Sequence, residues 1–387
     1  MISVSGGVYY RIMDALQKLI HLADDSRYDL ACACSSSDKE RRRRKLDGSW
    51  LYPVPLAAGG YGIMMKTLLS NACSSDCRYC PLRHEGNVRR CTLLPDEIAR
   101  LFMDHLSRQW LLGIFLSSGI VGTPDRTMER LTAAAEILRR KYRYRGYIHL
   151  KIIPGASEAA ITRALQLASA VSLNIETPGA RYFRQLSAYK SFDSDIVRPL
   201  RFLADQTQPG SPYAGIRCST QFIVGAADES DRELVRYTAA VYRKLRFERV
   251  YFSAFQPGTD IPLAPRPESL ELVLSNHDRL TREHRLYQAD FLLRKYHFDA
   301  DEMEFGPDGN FDLARDPKLR WAERHPEFFP VRINTADREA LLRIPCIGPT
   351  YADRIIAERR KAKLSNLLRI GLRGKNARTA IDYIDFC

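Results

Sequence analysis

Between residues 61 and 300 the sequence alternates short apolar runs with longer stretches of helical periodicity. That alternation limits the fold more than any other feature. The spans 63–70, 113–117, 147–153, 170–176, 216–224 and 249–255 have the length and composition of strands. The spans 95–110, 125–142, 157–168, 193–205 and 229–246 have the periodicity of helices. Strands separated by helices pair as parallel neighbours through crossover connections. In such sheets ligands bind beyond the carboxyl ends of the strands. Three chemically loaded stretches fall at that end: the loop 71–84, the turn Ser117-Ser118-Gly119, and Glu176 at the close of the fourth strand.

The loop reads Asn-Ala-Cys-Ser-Ser-Asp-Cys-Arg-Tyr-Cys-Pro-Leu-Arg-His. Cys73, Cys77 and Cys80 are spaced C-x₃-C-x₂-C, with Tyr79 just before the last thiol. Three thiolates this close can grip one metal centre. Iron–sulfur clusters are held by cysteine thiolates, normally four. A three-cysteine grip leaves one iron open to a substrate or cofactor. A zinc site with His84 as fourth ligand uses similar spacing, and three ordinary thiols form a further alternative.

Cysteines spaced C-x₃-C-x-aromatic-C after the first strand of a β/α chain resemble the radical S-adenosylmethionine (SAM) enzymes. The resemblance implies an α/β fold, a TIM-like partial (β/α)6 barrel. It also implies a 4Fe-4S cluster on Cys73, Cys77 and Cys80. SAM would chelate the fourth iron, and electron transfer would split it into methionine and a 5′-deoxyadenosyl radical. Residue by residue, Tyr79 packs by the adenine. Ser117, Ser118 and Gly119 stand where the family has a Gly-Gly-Glu turn at the methionine amino group, here without its acid. Asn174 and Glu176 reach the ribose or methionine. The stretch from Gln221 to Asp228, with Ile223 and Gly225, resembles the Gly-x-Ile-x-Gly-x-x-Glu strand beside adenine, departing from it at Gln221 and Asp228. The turn from Phe255 to Thr259 closes the sixth strand much as in the family. An electron donor such as flavodoxin or ferredoxin is implied as well. The resemblance does not choose a catalytic residue; Cys91, Cys218, Cys346 and several tyrosines stay open as radical relays.

Composition narrows the partners and the compartment. The 387 residues carry a net charge of +13, which fits an anionic partner, nucleic acid being the commonest, and equally a charge that serves solubility. Nine cysteines, an odd number, and no secretory signal after Met1 point to a reducing cytoplasm. No run is long and apolar enough for a membrane span; the one around 51–70 is broken by prolines, glycines and Lys66. Residues 11–23 read as a short amphipathic helix, and a basic run starts at Lys39, either a solvated loop or a phosphate-contacting arm. Cys32 and Cys34 read as ordinary thiols.

The C-terminal residues form a second signal. Asn334-Thr335-Ala336 is expected to cap a helix ending near Arg343, and a tight turn 344–349 leads into a helix from Thr350 to about Lys361. Ile344-Pro345-Cys346-Ile347-Gly348 resembles the helix-hairpin-helix pattern hydrophobic-Pro-Gly-Ile-Gly, with Cys346 in place of the first glycine. The resemblance implies nucleic-acid contact at Ile344, Ile347, Gly348, Thr350 and Arg354, through backbone N–H groups laid on a phosphate. Residues 367–383 look like a weaker second copy. Residues 331–387 hold twelve Lys and Arg against six Asp and Glu. The expected organisation is an N-terminal helix and basic loop over 1–60, the barrel over 61–300, a linker over 301–330, and a small all-α hairpin module over 331–387. The whole is most similar to radical SAM proteins described as DNA modification or repair enzymes. That similarity implies DNA, or RNA or tRNA, as partner and substrate, with a DNA-glycosylase-like protein as a further partner. A zinc-stabilised nucleic-acid-binding protein without catalysis is the alternative of a different class.

Overall fold

The structure, a computed structural model, describes residues 13–26, 51–55, 60–108, 111–255 and 274–387. Tyr28-Asp29-Leu30, a stretch that adds to the family resemblance, lies outside the described residues, as do Cys32, Cys34, the basic run from Lys39, and Gln256 to Thr259. The chain divides into two compact units. One holds 1–221 with 247–249 and 257–265; the other holds 222–246, 250–256 and 266–387.

The first unit alternates strand and helix as the sequence requires. Its elements are α1 (Ala15–Asp25), β1 (Leu51–Pro55), β2 (Tyr61–Leu68), α2 (Pro95–Arg108), β3 (Gly113–Ser117), α3 (Pro124–Glu136), β4 (Tyr147–Lys151), α4 (Glu158–Leu167), β5 (Ala170–Ser172), α5 (Ala180–Leu186), α6 (Arg198–Thr207) and the greater part of β6 (Arg217–Val224). The helices begin where side chains can satisfy their first N–H groups. Thr123 caps α3 through the Arg126 N–H, with Pro124 at the first helical position, and Ser157 caps α4. One sheet runs β1 to β7 in chain order, β7 being Arg249–Ala254. Neighbours from β2 to β6 pair parallel. An unbroken chain-order sheet is the arrangement of a barrel wall; a doubly wound sheet reverses order at a switch point.

Two details differ from the sequence reading. β1 is an antiparallel edge strand on β2, although Pro53 and Pro55 read as breakers. An edge strand tolerates proline because its outer N–H groups need no partner. β5 stops at Ser172 instead of reaching Glu176. Beyond it the Ile175 N–H donates to the Thr220 hydroxyl at 2.9 Å, and Glu176 turns to a positive φ of 66°.

The two faces of the sheet differ in chemistry. Met65, Ile114, Leu116, Ile148, Leu150 and Val171 are fully buried on one. Adjacent strands present Lys66, Phe115, His149 and Ser172 on the other. There the Lys66 ammonium lies 4.8 Å from the Phe115 ring centre, and His149 Nε2 lies 2.9 Å from the Ser172 hydroxyl. A strand sends alternate side chains to opposite faces, so one face is sealed by hydrocarbon and the other is polar.

In the second unit α7 (Asp231–Ala240) starts at a capping box on Ser230 and Glu233. α8 (Asn276–Lys295) is pinned to β7 by polar bonds: the Tyr287 hydroxyl donates to the Phe252 carbonyl at 2.9 Å, and the Ala254 N–H to the Glu283 carboxylate at 2.7 Å. The 316–327 stretch forms α9 (Pro317–Arg324), capped by Asp316. Its Trp321 is buried against Phe298, His325 and Phe328, with the Arg343 guanidinium 4.9 Å above its ring centre. α10 (Arg338–Arg343) and α11 (Pro349–Arg359) are joined by the turn 344–348, and α12 (Gly374–Ile381) follows a second short turn. β8 (Val331–Arg332) and β9 (Ile384–Asp385) pair parallel. The cap of α10 is Asp337, whose carboxylate accepts from the Ala340 N–H at 2.7 Å. Asn334, the expected cap, instead bonds the Leu364 and Phe386 carbonyls at 3.0 and 2.9 Å.

Candidate functional site

The cysteine loop leaves β2 and is held by backbone bonds on several sides. Gly119, just past β3, donates its N–H to the Ser70 carbonyl at 2.7 Å. A Cβ on Gly119 would stand 2.4 Å from the Ala72 carbonyl oxygen and 3.1 Å from Cys73 Cβ, so only glycine admits so close an approach. Ser117 is buried at the strand end, and the Ser118 hydroxyl donates to the Gly119 carbonyl at 2.7 Å. The Ser-Ser-Gly turn therefore packs directly on the loop. Arg90 closes the far side. Its guanidinium donates to the carbonyls of Asn71, Leu82, Arg83 and Gly86 at 2.5 to 2.9 Å. Asn71 is buried, receives the Cys91 N–H at 2.7 Å and donates to Asp25 of α1 at 2.7 Å. The N-terminal helix thus supports the loop, a role its amphipathic pattern did not reveal.

The three thiols have different surroundings. Cys73 Sγ accepts from the Ser75 and Ile120 N–H groups, each at 3.4 Å. Cys77 is buried, and Lys190 Nζ donates to its sulfur at 2.9 Å. Burial alone would lower the Lys190 ammonium, but the Cys77 sulfur beside it holds it above the ordinary lysine value. Cys80 is pushed up to about 12, first by burial and then by the negative charge of Cys77. N–H and ammonium donors reach the sulfurs of Cys73 and Cys77, whereas Cys80, raised by burial, needs a bound cation to give up its proton. Lys190 is 113 positions from Cys77 in the chain, so no local pattern could have found it. What places it is Asp76. That carboxylate accepts from the Ser187 hydroxyl and from the Ala188 and Tyr189 N–H groups at 2.7 and 3.3 Å. Burial opposes its charge, but these bonds win and keep its carboxyl below the usual carboxylate range.

Tyr79 links the loop to Glu176, in the segment that follows β5. Its hydroxyl donates to Glu176 Oε1 at 2.7 Å, while the Asn174 amide approaches Glu176 Oε2 at 3.5 Å. Burial, then the Glu176 charge, raises Tyr79 well above the ordinary phenol value, so it stays a donor. Glu176 is buried and left-handed, a conformation that costs a non-glycine residue about 1 kcal/mol or more. Among the described residues, the Gln221 Nε2 is buried with no hydrogen-bond partner. Its own carbonyl takes the Glu176 N–H at 3.0 Å. An orphaned buried donor is uncommon and points to a missing acceptor.

Ile223 and Gly225 lie in the second unit. Ile223 is buried. Gly225 sits at φ 79° and donates its N–H to Glu229 at 2.5 Å; the Ala227 N–H reaches the same carboxylate at 3.2 Å. The carboxylate that organises this turn is Glu229, one position past the Asp228 that the pattern selected. Burial pushes its carboxyl up to about 7 against the pull of Arg282.

In the C-terminal turn Ile344 and Ile347 are fully buried in the core with Leu341, Ile355 and Leu372. Cys346 stands at φ 63°, a left-handed conformation that favours glycine. Thr350 is exposed. Arg354 is exposed and donates to the Ile370 carbonyl at 3.3 Å, and Arg359 donates to the Ile333 and Ala336 carbonyls at 3.0 and 2.7 Å.

Against known proteins the chain has only structural likenesses. No family model matches it, and no curated protein matches it. Among solved structures it is similar to methylornithine synthase, with 18% identity over 59% of this chain and 62% of that one, at a TM-score of 0.45. The chain thus spans less than two thirds of that protein's length. It is also similar to the FeFe-hydrogenase maturase HydG from Carboxydothermus hydrogenoformans, with 15% identity over 77% of this chain and 75% of that one, at a TM-score of 0.45. A second structure of HydG, a maturase of the [FeFe]-hydrogenase, matches with 12% identity over 83% and 73%, at a TM-score of 0.45. Among the described residues no helix is long and apolar enough to cross a membrane.

Proposed function

We propose that the chain is a radical SAM enzyme, with Cys73, Cys77 and Cys80 holding a 4Fe-4S cluster. The observation that carries this reading is the placement of the three thiols. They lie on one clamped loop at the carboxyl end of β2, against the turn after β3, and joined by Tyr79 to Glu176 in the segment after β5. The donor set fits. The sulfurs of Cys73 and Cys77 receive N–H and ammonium donors, and cysteine sulfurs are the ligands such clusters take. A single zinc ion fits less well. His84, the candidate fourth ligand, stacks on Tyr189, with Nδ1 3.3 Å from the Ser75 carbonyl.

The cluster and SAM, when bound, supply a hydrogen-abstracting radical. This chain's residues bind and orient. Lys190 sets a positive charge beside the Cys77 sulfur. Tyr79 and Asn174 hold the Glu176 carboxylate, and Ser118 lies just past the end of β3. Gln221 offers its unpartnered amide as a donor to bound ligand.

The substrate we infer is DNA, with RNA or tRNA second, and an electron donor of the flavodoxin or ferredoxin kind is needed. The basic C-terminal residues support a polyanionic substrate; phosphate contacts there would position the polymer without choosing bases. Anaerobic reconstitution with iron and sulfide, followed by reduction in the presence of SAM, tests the enzyme reading. Methionine and 5′-deoxyadenosine should form. A colourless protein that leaves SAM intact contradicts it.

A further inference from the structure

The two C-terminal turns that the sequence pairs as copies are not equivalent. The first, 344–348, is filled from within its own unit. A Cβ on Gly348 would stand 2.9 Å from the Tyr296 hydroxyl oxygen. Lys318, almost fully buried, donates its ammonium to the Ile347 carbonyl at 2.5 Å and lies 4.6 Å from the Tyr296 ring centre. Two basic side chains of α11 and one just past it have partners. Arg354 and Arg359 bond backbone carbonyls, and Lys361 pairs with Glu358 at 2.6 Å.

The second turn is open. A Cβ on Gly374 would meet nothing within 4 Å, and Gly374 sits at φ 64°. Arg373, Lys375 and Arg378 surround it, all exposed. None of the three has an ion pair or hydrogen bond from its side chain among the described residues. Lys375 and Arg378 are three apart on α12 and share a face. Like charges gathered without acidic partners repel one another, and an anion across from them relieves that repulsion.

We propose that this second turn, with Arg373, Lys375 and Arg378, is the surface that grips duplex DNA by its phosphate backbone, and that the first turn is a structural plug. The proposal rests on the nucleic-acid reading above and names which of the two turns serves it. It reverses the assignment that the motif makes, because Gly348 carries the motif and Gly374 carries the open charge.

The test uses the full chain and a labelled random duplex of about 20 base pairs at low salt, read by fluorescence anisotropy. The variant R373Q/K375Q/R378Q should bind at least about tenfold more weakly. Its log–log salt slope should fall by about 2 to 3, near 0.9 for each phosphate no longer neutralised. The comparison variant R360Q/K361Q/K363Q, at the end of α11, should weaken binding by less than about threefold. Circular dichroism melts should show both folded, as these side chains are exposed. Equal binding by the first variant and wild type, with weaker binding by the second, overturns the proposal and leaves the nucleic-acid reading standing. Wild-type protein that ignores DNA overturns both. Tighter binding to duplex RNA than to DNA, with the same triple required, overturns the choice of partner.

Discussion

The cysteine loop and the first C-terminal turn are both short, turn-rich segments picked out by a motif, and they end up in opposite conditions. The loop is held from outside, by Arg90, Asn71, Gly119 and Asp76, all bonding backbone or neighbouring segments and leaving the three sulfurs facing only a few donors. The turn is filled, with Lys318 on its Ile347 carbonyl and Tyr296 over Gly348. Motifs whose chemistry sits in side chains declare it through residue type. Motifs whose chemistry sits in backbone N–H groups do not, because any nearby side chain of the same protein can occupy the surface the pattern promises.

The largest effect should come from the clamp on the loop. Arg90→Ala removes a charged donor from four carbonyls. Hydrogen bonds to charged groups contribute about 1.5–3 kcal/mol each and do not add fully, so a destabilisation of about 3 kcal/mol or more is expected. Thermal melting and iron content after reconstitution should fall together. Normal iron content in a destabilised protein would show that the loop positions its thiols without the clamp.

The plug on the turn gives the next effect. Burial pushes the Lys318 ammonium down to about 7. Its unfolded value is the higher one, so the unfolded chain binds more protons between the two, and stability should rise with pH across that window. Between pH 7 and 9 the gain should be on the order of 2 kcal/mol, absent in Lys318→Met. A melt in which wild type and variant share one pH profile would place Lys318 in a wetter setting.

The smallest effect concerns Gly348. A Cβ there meets the far end of a tyrosine, which can shift, so Gly348→Ala should cost about 1 kcal/mol. Adding Tyr296→Phe should recover most of it in a double-mutant cycle. Equal costs in both backgrounds would mean that the two residues do not touch in solution.

Much of this was legible beforehand where periodicity and side-chain type carry the information. β3 spans the residues read from sequence, and the sheet keeps chain order. The misses have physical causes. β1 hid behind Pro53 and Pro55, which an edge strand accepts. Glu176 left its strand because Thr220, on the neighbouring strand, took over a backbone bond. Glu229 replaced Asp228 because the Gly225 turn presents its N–H groups one residue further on. Lys190 reaches Cys77 only after α5 and the Asp76 bonds bring it there. Pairings made across the fold leave no local spacing to read.

The central claim is that Cys73, Cys77 and Cys80 together hold a multi-iron cluster. Counting iron, sulfide and zinc per chain after anaerobic reconstitution tests it most directly, in wild type and in Cys73→Ala, Cys77→Ala and Cys80→Ala. The account predicts about four irons and four sulfides in wild type, as for a 4Fe-4S cluster, and loss of both in each variant with the fold retained. One zinc per chain without sulfide, or full iron in any of the three variants, would contradict it.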